Sequence, residues 1–260
     1  MMGTALETFL VSNVFAFIIV FVRMGTALML IPGIGDSFVS ERVRLHVTVA
    51  LSFVLYPLLL PYIPNPLPQT FALMTLLVME FIIGLFFGTM ARVFMVALDT
   101  AGMIISTMSG LGNAQLFNPS LASQGSLIGA FLTVSGVTLL LITNMHHLLI
   151  MGVVGSYQLF PLGTIPNIES MTEMFSLAVS RSFAIGAQFA APFIVLTTVL
   201  YAGMGVLSRL MPQIQVFMIV LPLQILISIV ALMLILGAAM LYWLEQFEAA
   251  MIFFLRTIGA

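Results

Sequence analysis

A series of six long apolar runs constrains the fold of this chain more than any other feature. Short breaks in which proline and glycine recur separate the runs, as expected of helix-breaking residues. Hydrophobic residues make up 62% of the 260 residues and charged residues only 6%, whereas a soluble domain carries about a quarter charged residues. The pattern predicts an all-α membrane protein with about six long, partly broken helices, in a single domain over residues 1–260. The runs lie at 9–32, 45–63, 71–106, 127–151, 174–211 and 214–244.

The residue types present argue against several classes of function. The chain has no cysteine, so it has no disulfide, thiol nucleophile or thiolate metal site. Its formal net charge of −2 provides no basic surface for nucleic acid. His146 and His147 are adjacent, so on a helix they do not share a face as zinc ligands four residues apart do. Ser109 lacks the glycine two positions earlier that a GxSxG nucleophile requires, and we predict no enzymatic activity and no cofactor.

Two of the apolar runs, 71–106 and 174–211, are too long for ordinary membrane spans. As continuous helices that rise ~1.5 Å per residue, each would exceed ~50 Å, whereas the hydrocarbon core of a bilayer is ~30 Å thick. Each run is therefore expected to break or bend, or to extend beyond lipid under the cover of other protein. Pro192 lies within the second run, and proline inside a helix removes a backbone hydrogen bond and kinks the helix.

Five charged residues lie well inside the apolar runs, away from their ends. Each would cost ~2.5 to 3.5 kcal/mol at the centre of a bilayer on insertion scales, so we expect these side chains to face protein or water at helix or subunit interfaces. Arg92 and Asp99 share a helical face, but two turns separate them by ~10 Å along the axis, which disfavours a direct pair. The five residues are Arg23, Glu80, Arg92, Asp99 and Arg181.

A connecting stretch of 20 residues carries no charge. It occupies residues 107–126, between predicted N-terminal helices (1–106) and C-terminal helices (127–260). Its glycines permit backbone turns that other residues resist, and Pro119 after Asn118 favours a turn over a helix. Its amide side chains can bond backbone groups without carrying a charge. A plain inter-helix connector is the simpler interpretation of the same residues.

Six motifs in order resemble the FliR family, the R subunit of the flagellar type III secretion export gate. The resemblance covers nearly the whole chain. The motifs are RxGxxxxxxPxxGDxxVxxRVR (23–44), EFIIGLFFGTMARVFMVALDTAGMIIS (80–106), MSGLGNAQLFNPS (108–120), MHHLLI (145–150), SYQLFPLG (156–163) and RLMPQIQVFMIVLPLQI (209–225).

The resemblance implies a non-enzymatic subunit of a protein-conducting channel in the bacterial inner membrane, at the flagellar basal body. In this family one R subunit, built of bent helical hairpins, completes a helical ring with P and Q subunits. Export-switch and export-platform membrane proteins dock onto that ring, and unfolded flagellar substrates pass through it. Lipid is a further partner, and nucleic acid is not. Sister subunits would also cover the over-long helices and pair with the charges inside them.

The resemblance also assigns a role to the uncharged stretch, because the R subunit contributes an inward loop to a plug that closes the pore. The implied plug residues are Met108, Ser109, Gly110, Leu111, Gly112, Asn113, Ala114, Gln115, Leu116, Phe117, Asn118 and Pro119.

Two other functions stay open at this point. An export-gate subunit of the injectisome, from the same family, is one of them. A self-contained secondary transporter with a midplane site near Glu80, Arg92 and Asp99 is the other, although we find no inverted repeat that would support it.

Overall fold

A computed structural model describes residues 2–63, 70–112, 126–164, 166–211 and 216–258 of the chain. Over this part of the chain the secondary structure is helical, so the all-α prediction is confirmed. The helices are α1 (Met2–Leu28), α2 (Glu41–Leu59), α3 (Thr70–Met108), α4 (Leu127–Ile142), α5 (Met145–Leu159), α6 (Ile168–Leu210) and α7 (Val216–Ile258), with a 3-10 turn at Leu60–Tyr62 after α2.

Local signals in the sequence explain where two of these helices begin. The hydroxyl of Ser40 accepts a hydrogen bond from the Val43 N–H at 3.4 Å, and caps α2. Asn167 caps α6 in the same way, because its side-chain oxygen accepts from the Glu169 and Ser170 N–H groups at 3.0 and 3.3 Å. Both caps supply partners to amide groups that a helix leaves unpaired in its first turn.

Among the residues that the structure describes, four helices are long and apolar enough to cross a membrane: α2 with its 3-10 turn, α3, α6 and α7. The pair α4 and α5 counts as a fifth span if the two are taken together, since the chain bends by 76° between them. The helical membrane-protein class predicted from composition is therefore confirmed.

The two longest apolar runs form continuous helices. Helix α3 has 39 residues and α6 has 43, which corresponds to about 58 and 64 Å at ~1.5 Å per residue. Helix α6 continues through Pro192, which is exposed, and the next residue, Phe193, is 1% exposed. Only one face of α6 is packed there, through the buried Ala190 and Phe193, and that packing offsets the backbone hydrogen bond that proline removes.

Hydropathy alone predicts residues 127–151 as one continuous apolar run, but the structure has a break between α4 and α5 inside it. Asn144 has φ 59°, a left-handed conformation that asparagine tolerates better than most residues. The carbonyl of Asn144 accepts a hydrogen bond from the His147 N–H at 3.0 Å and so starts α5. Thr143 and Asn144, two polar residues in an apolar run, are the only sequence signal for this break.

The chain forms two compact units. The first comprises Met1–Val93, Leu140–Leu177 and Ala249–Ala260, and the second comprises Phe94–Leu139 and Ala178–Glu248. In the first unit, Phe15, Ile19 and Leu76 form a buried apolar cluster. In the second, Trp243 is 1% exposed, its ring centre lies 5.5 Å from that of Phe247, and its indole nitrogen donates to the Phe94 carbonyl at 3.2 Å.

Many large apolar side chains point outward. Phe53 and Val54 on α2 are 66% and 70% exposed, and Met233 and Leu234 on α7 are 75% and 80% exposed. Extended apolar faces of this kind require lipid or another protein chain to cover them.

Candidate functional sites

A buried ion pair lies at the centre of the first unit. The Nε and Nη2 atoms of Arg23, on α1, donate to the two carboxylate oxygens of Glu80, on α3, at 2.6 and 2.7 Å. The side chains are 0% and 1% exposed. A two-pronged guanidinium–carboxylate pair has the geometry that best offsets the cost of removing both charges from water.

The remaining donors of Arg23 tie a third helix to this pair. Its Nη1 donates to the Ser156 hydroxyl and its Nη2 to the Phe160 carbonyl, both at 3.1 Å. The guanidinium carbon also lies 3.9 Å from the centre of the Tyr157 ring, a cation–π contact. One arginine therefore joins α1, α3 and the end of α5, which indicates a structural connection and not a catalytic group.

The other charged residues inside the apolar runs have different surroundings. Arg92 pairs with Asp36 at 3.1 Å and is 42% exposed. Asp99 is half-buried in the second unit and, over the described part of the chain, has no ion-pair partner. Arg181, on α6, is exposed on this chain. A role at subunit interfaces for these residues stays a prediction.

The three residues of the transporter hypothesis lie on one helix. Glu80, Arg92 and Asp99 all lie on the continuous helix α3, where nineteen positions correspond to about 28 Å along the axis. Glu80 and Arg92 also bind separate partners. Glu80 and Arg92 are thus engaged in structural contacts within the first unit, and the transporter function stays a prediction from the sequence.

The start of the uncharged stretch is anchored in the second unit. The Met108 carbonyl, at the end of α3, accepts hydrogen bonds from the Thr197 hydroxyl at 2.9 Å and from the Gln224 amide. Thr197 and Gln224 are 2% and 1% exposed and come from α6 and α7. Two buried donors thus fix the point at which the chain leaves the helix.

Local backbone geometry completes this anchor. Gly110 has φ 80°, in the left-handed region where helices commonly end on glycine. The Gly112 N–H then donates back to the Ser106 carbonyl at 2.9 Å. Ser109 is 1% exposed, and its hydroxyl donates to the same carbonyl at 3.1 Å.

The end of the stretch returns to the same part of α3. The Ser126 hydroxyl donates to the Gly102 carbonyl at 2.9 Å and accepts from the Gly129 N–H at 3.1 Å. The helices cross closely there, because a Cβ atom on Gly102 would lie 2.1 Å from the Gly129 Cα. Residues 113–125 thus connect two ends that are both attached to the last turns of α3.

The structure describes part of the stretch to which the resemblance assigns a plug, and the plug role itself stays a prediction. The first five implied plug residues, Met108, Ser109, Gly110, Leu111 and Gly112, form the anchored base. The other seven, Asn113, Ala114, Gln115, Leu116, Phe117, Asn118 and Pro119, lie outside the described residues.

The sequence did not indicate which residues bind Arg23 or which residues bind the Met108 carbonyl. Ser156 and Tyr157 lay within a motif of the resemblance but had no assigned role. Gln224 and Thr197 are polar residues in apolar runs, which was the available signal. Among the described residues there is no group of three or more histidine, cysteine, aspartate or glutamate side chains placed to hold a metal ion.

Comparison with known proteins identifies the family. Residues 14–250 match the model of "Bacterial export proteins, family 1". The chain belongs to this FliR family of bacterial export proteins. The resemblance predicted from the six motifs is confirmed, and with it a place in flagellar biosynthesis and type III protein export.

Individual FliR relatives agree over most of their length. The chain is 34% identical to the flagellar biosynthetic protein FliR of Caulobacter vibrioides over 91% of this chain and 94% of the relative. It is 28% identical to the FliR of Bacillus subtilis over 84% of each chain. It is also 30% identical to the Yop proteins translocation protein T of Yersinia pestis over 70% of each chain.

The two buried donors to Met108 provide a test of the anchor. Replacing Thr197 with Val and Gln224 with Leu together leaves the Met108 carbonyl without its side-chain partners, at a cost of about 1 to 3 kcal/mol. We expect amide hydrogen exchange over residues 106–112 to accelerate roughly tenfold or more, as measured by mass spectrometry on the purified protein.

A neighbouring threonine provides the control for that test. Thr198 is exposed and donates to the Ile194 carbonyl of its own helix at 2.7 Å. Thr198→Val should leave exchange over 106–112 unchanged. Equal acceleration in both variants would show that the anchor does not depend on the Met108 contacts.

Proposed function

We propose that this chain is a non-enzymatic structural subunit of the flagellar type III export gate, and that residues Met108–Pro119 plug its closed pore. The gate forms in the inner membrane at the flagellar basal body, with P and Q subunits as sister chains. Export-switch and export-platform proteins bind this assembly, and unfolded flagellar substrates pass through it. Membership of the FliR family supports the export role.

The observation that carries the plug proposal is the double attachment of the uncharged stretch. Buried polar groups hold its first residues through Met108 and its last through Ser126. A loop that closes a pore needs fixed ends, which hold the segment between them at one place in the channel. That segment, 113–125, contains no charged residue, so it does not bring charge and its bound water into a closed pore.

The flagellar branch is favoured over the injectisome branch by coverage. The Caulobacter FliR aligns over 94% of its length, whereas the Yersinia protein aligns over 70%. Expression of this chain in a bacterium that lacks its own FliR should restore swimming if the flagellar proposal is right. Restoration of injectisome secretion alone, in a strain that lacks the corresponding subunit, would favour the other branch.

The test of the plug replaces Asn113–Pro119 with a Gly/Ser segment of equal length and leaves the anchored base intact. We expect normal copurification with sister subunits but at least a ~tenfold rise in ion flux through membranes that contain the assembled gate. A tenfold change in flux corresponds to about 1.4 kcal/mol of lost closure. Conductance is measured in planar bilayers or by ion release from vesicles.

The connector between α2 and α3 provides a control of similar size. Replacing residues 64–69 with Gly/Ser should leave the membranes as tight as those with the original chain. If the 113–119 variant assembles and its membranes stay equally tight, the plug assignment is wrong. If membranes with either variant leak to the same extent, the leak results from general damage to the gate, and the plug assignment is also wrong.

A further inference from the structure

An apolar groove opens on the first unit between α1, α2 and α3. Its volume is about 410 Å³, within the range of small-molecule sites, and its lining is wholly apolar. Thr48, in this lining, donates its hydroxyl to the Arg44 carbonyl of its own helix at 2.8 Å, so it presents only its methyl group to the groove. The lining includes Phe21, Gly25, Leu30, Thr48, Phe81 and Leu85.

The groove is open to the surroundings of the protein. Phe81 and Leu85, which form one wall on α3, are 49% and 43% exposed. The flanking helices α2 and α3 are both candidate membrane spans. The floor is shallow at Gly25 because α1 and α2 approach closely there, and a Cβ on that residue would lie 3.2 Å from the Thr48 methyl. An apolar chain can therefore enter from the side without crossing polar surface.

Two arginines lie at one end of the groove. Arg44 is one turn before Thr48 on α2, and its Nε donates to the Val39 carbonyl at 3.1 Å. Arg92 is two turns after Leu85 on α3, and its Nη1 lies 3.5 Å from the carbonyl of Leu30, a lining residue.

The same short segment holds both guanidinium groups at this end. Arg44 binds the Val39 carbonyl, and Arg92 pairs with Asp36. Val39 and Asp36 are themselves joined by a backbone hydrogen bond of 3.0 Å. The charged residues at this end are Arg42, Arg44, Arg92, Asp36 and Glu41, which leaves one positive charge in excess. Arg92 remains 42% exposed despite its ion pair.

We propose that this groove binds an anionic phospholipid, with an acyl chain along the apolar lining and the phosphate at Arg44 and Arg92. Guanidinium groups bind phosphate oxygens through paired hydrogen bonds. Basic groups beside membrane helices recognise anionic lipid headgroups. An apolar groove that ends at two cationic side chains matches a ligand with a long apolar chain and a negatively charged headgroup. A sister helix without a carboxylate would fill the groove but would leave the excess positive charge at this end unpaired.

The test measures lipid retained by the full-length protein within its purified export complex. Complexes are exchanged into nanodiscs of mixed phosphatidylglycerol and phosphatidylcholine, extracted in mild detergent, and analysed by native mass spectrometry. We expect retained phosphatidylglycerol in excess of phosphatidylcholine. Arg44→Gln combined with Arg92→Gln should lower that retention at least ~tenfold, since each basic residue near an anionic surface contributes roughly a fivefold factor.

Two further variants make the result specific. Arg209→Gln removes an exposed arginine at the end of α6, in the second unit, and should leave retention unchanged. Leu85→Trp fills the groove, keeps every charge, and should lower retention as the arginine pair does. Because it retains the Arg92–Asp36 ion pair, Leu85→Trp also tests the site if the double arginine variant fails to accumulate.

Three outcomes would overturn the proposal. The first is equal retention of the two lipids by the unmodified complex. The second is an equal loss of phosphatidylglycerol in Arg209→Gln and in the groove variants. The third is that a photoreactive residue at position 81 crosslinks a sister subunit and no lipid. None of these outcomes bears on the plug, since the groove lies in the first unit and the loop anchor in the second.

Discussion

Glu80→Gln is expected to destabilise the protein by about 3 to 5 kcal/mol, because it leaves the buried charge of Arg23 without its counter-ion. Arg23 is 0% exposed, so water cannot take the place of the lost carboxylate. Ser156 and Phe160 would still accept two hydrogen bonds from the guanidinium, but neither carries a charge. The measurement is denaturant or thermal unfolding of the purified protein in detergent, together with its yield from membranes.

Two further variants separate the effect of the buried ion pair on stability from the effect of losing any carboxylate. Glu245→Gln removes an exposed carboxylate from α7 and should change stability by no more than ~0.5 kcal/mol. The double variant Arg23→Met with Glu80→Leu removes both charges and should recover much of the loss, as apolar replacements of buried pairs do. If Glu80→Gln is as stable as Glu245→Gln, the buried pair does not hold the first unit together.

Gly102→Ala is the second change with a large expected effect. The added Cβ would lie 2.1 Å from the Gly129 Cα and 2.3 Å from its nitrogen, and both are backbone atoms that cannot rotate away. Helices α3 and α4 must therefore separate, at a cost of about 1 to 3 kcal/mol or more. Because Ser126 is tied to the Gly102 carbonyl, the separation should also loosen the second attachment of the uncharged stretch.

The same Gly→Ala substitution at another position of the second unit should not destabilise the protein. A Cβ on Gly237, in α7, would meet no atom within 4 Å. Gly237→Ala should therefore be neutral or should stabilise the protein by up to ~1 kcal/mol, the difference in helix propensity. Unfolding of the two variants under one set of conditions compares them directly. Similar stabilities would show that the α3–α4 crossing tolerates a methyl group and is not closely packed.

Hydropathy and run length were sufficient to predict the helical membrane class and most helix positions. The runs 71–106 and 174–211 correspond to α3 and α6 within a few residues at most ends. Neither the passage of α6 through Pro192 nor the bend at Asn144 followed from hydropathy. Both depend on the balance between the local preference of the backbone and the packing of the helix against its neighbours. The apolar pattern does not predict this balance, because it indicates only whether a segment can be buried.

The motifs were likewise sufficient to place the chain in its family, because an ordered set of residues over nearly the whole length is specific. They also singled out Met108–Ser126 as a stretch that differs from a charged loop. They did not show that Thr197 and Gln224 bind the Met108 carbonyl. Thr197 and Gln224 lie 89 and 116 residues from Met108. The spacing of residues along one helix does not predict contacts with other helices.

The sequence by itself therefore determined which segments are helical, which charges are costly in lipid, and which family the chain belongs to. Only the tertiary structure decided how three of those charges are paired: Arg23 with Glu80, 57 residues away, and Arg92 with Asp36. The physical reason is that the cost of burying a charge is a property of one residue. The compensation depends on which helices pack together, and hence on the whole fold.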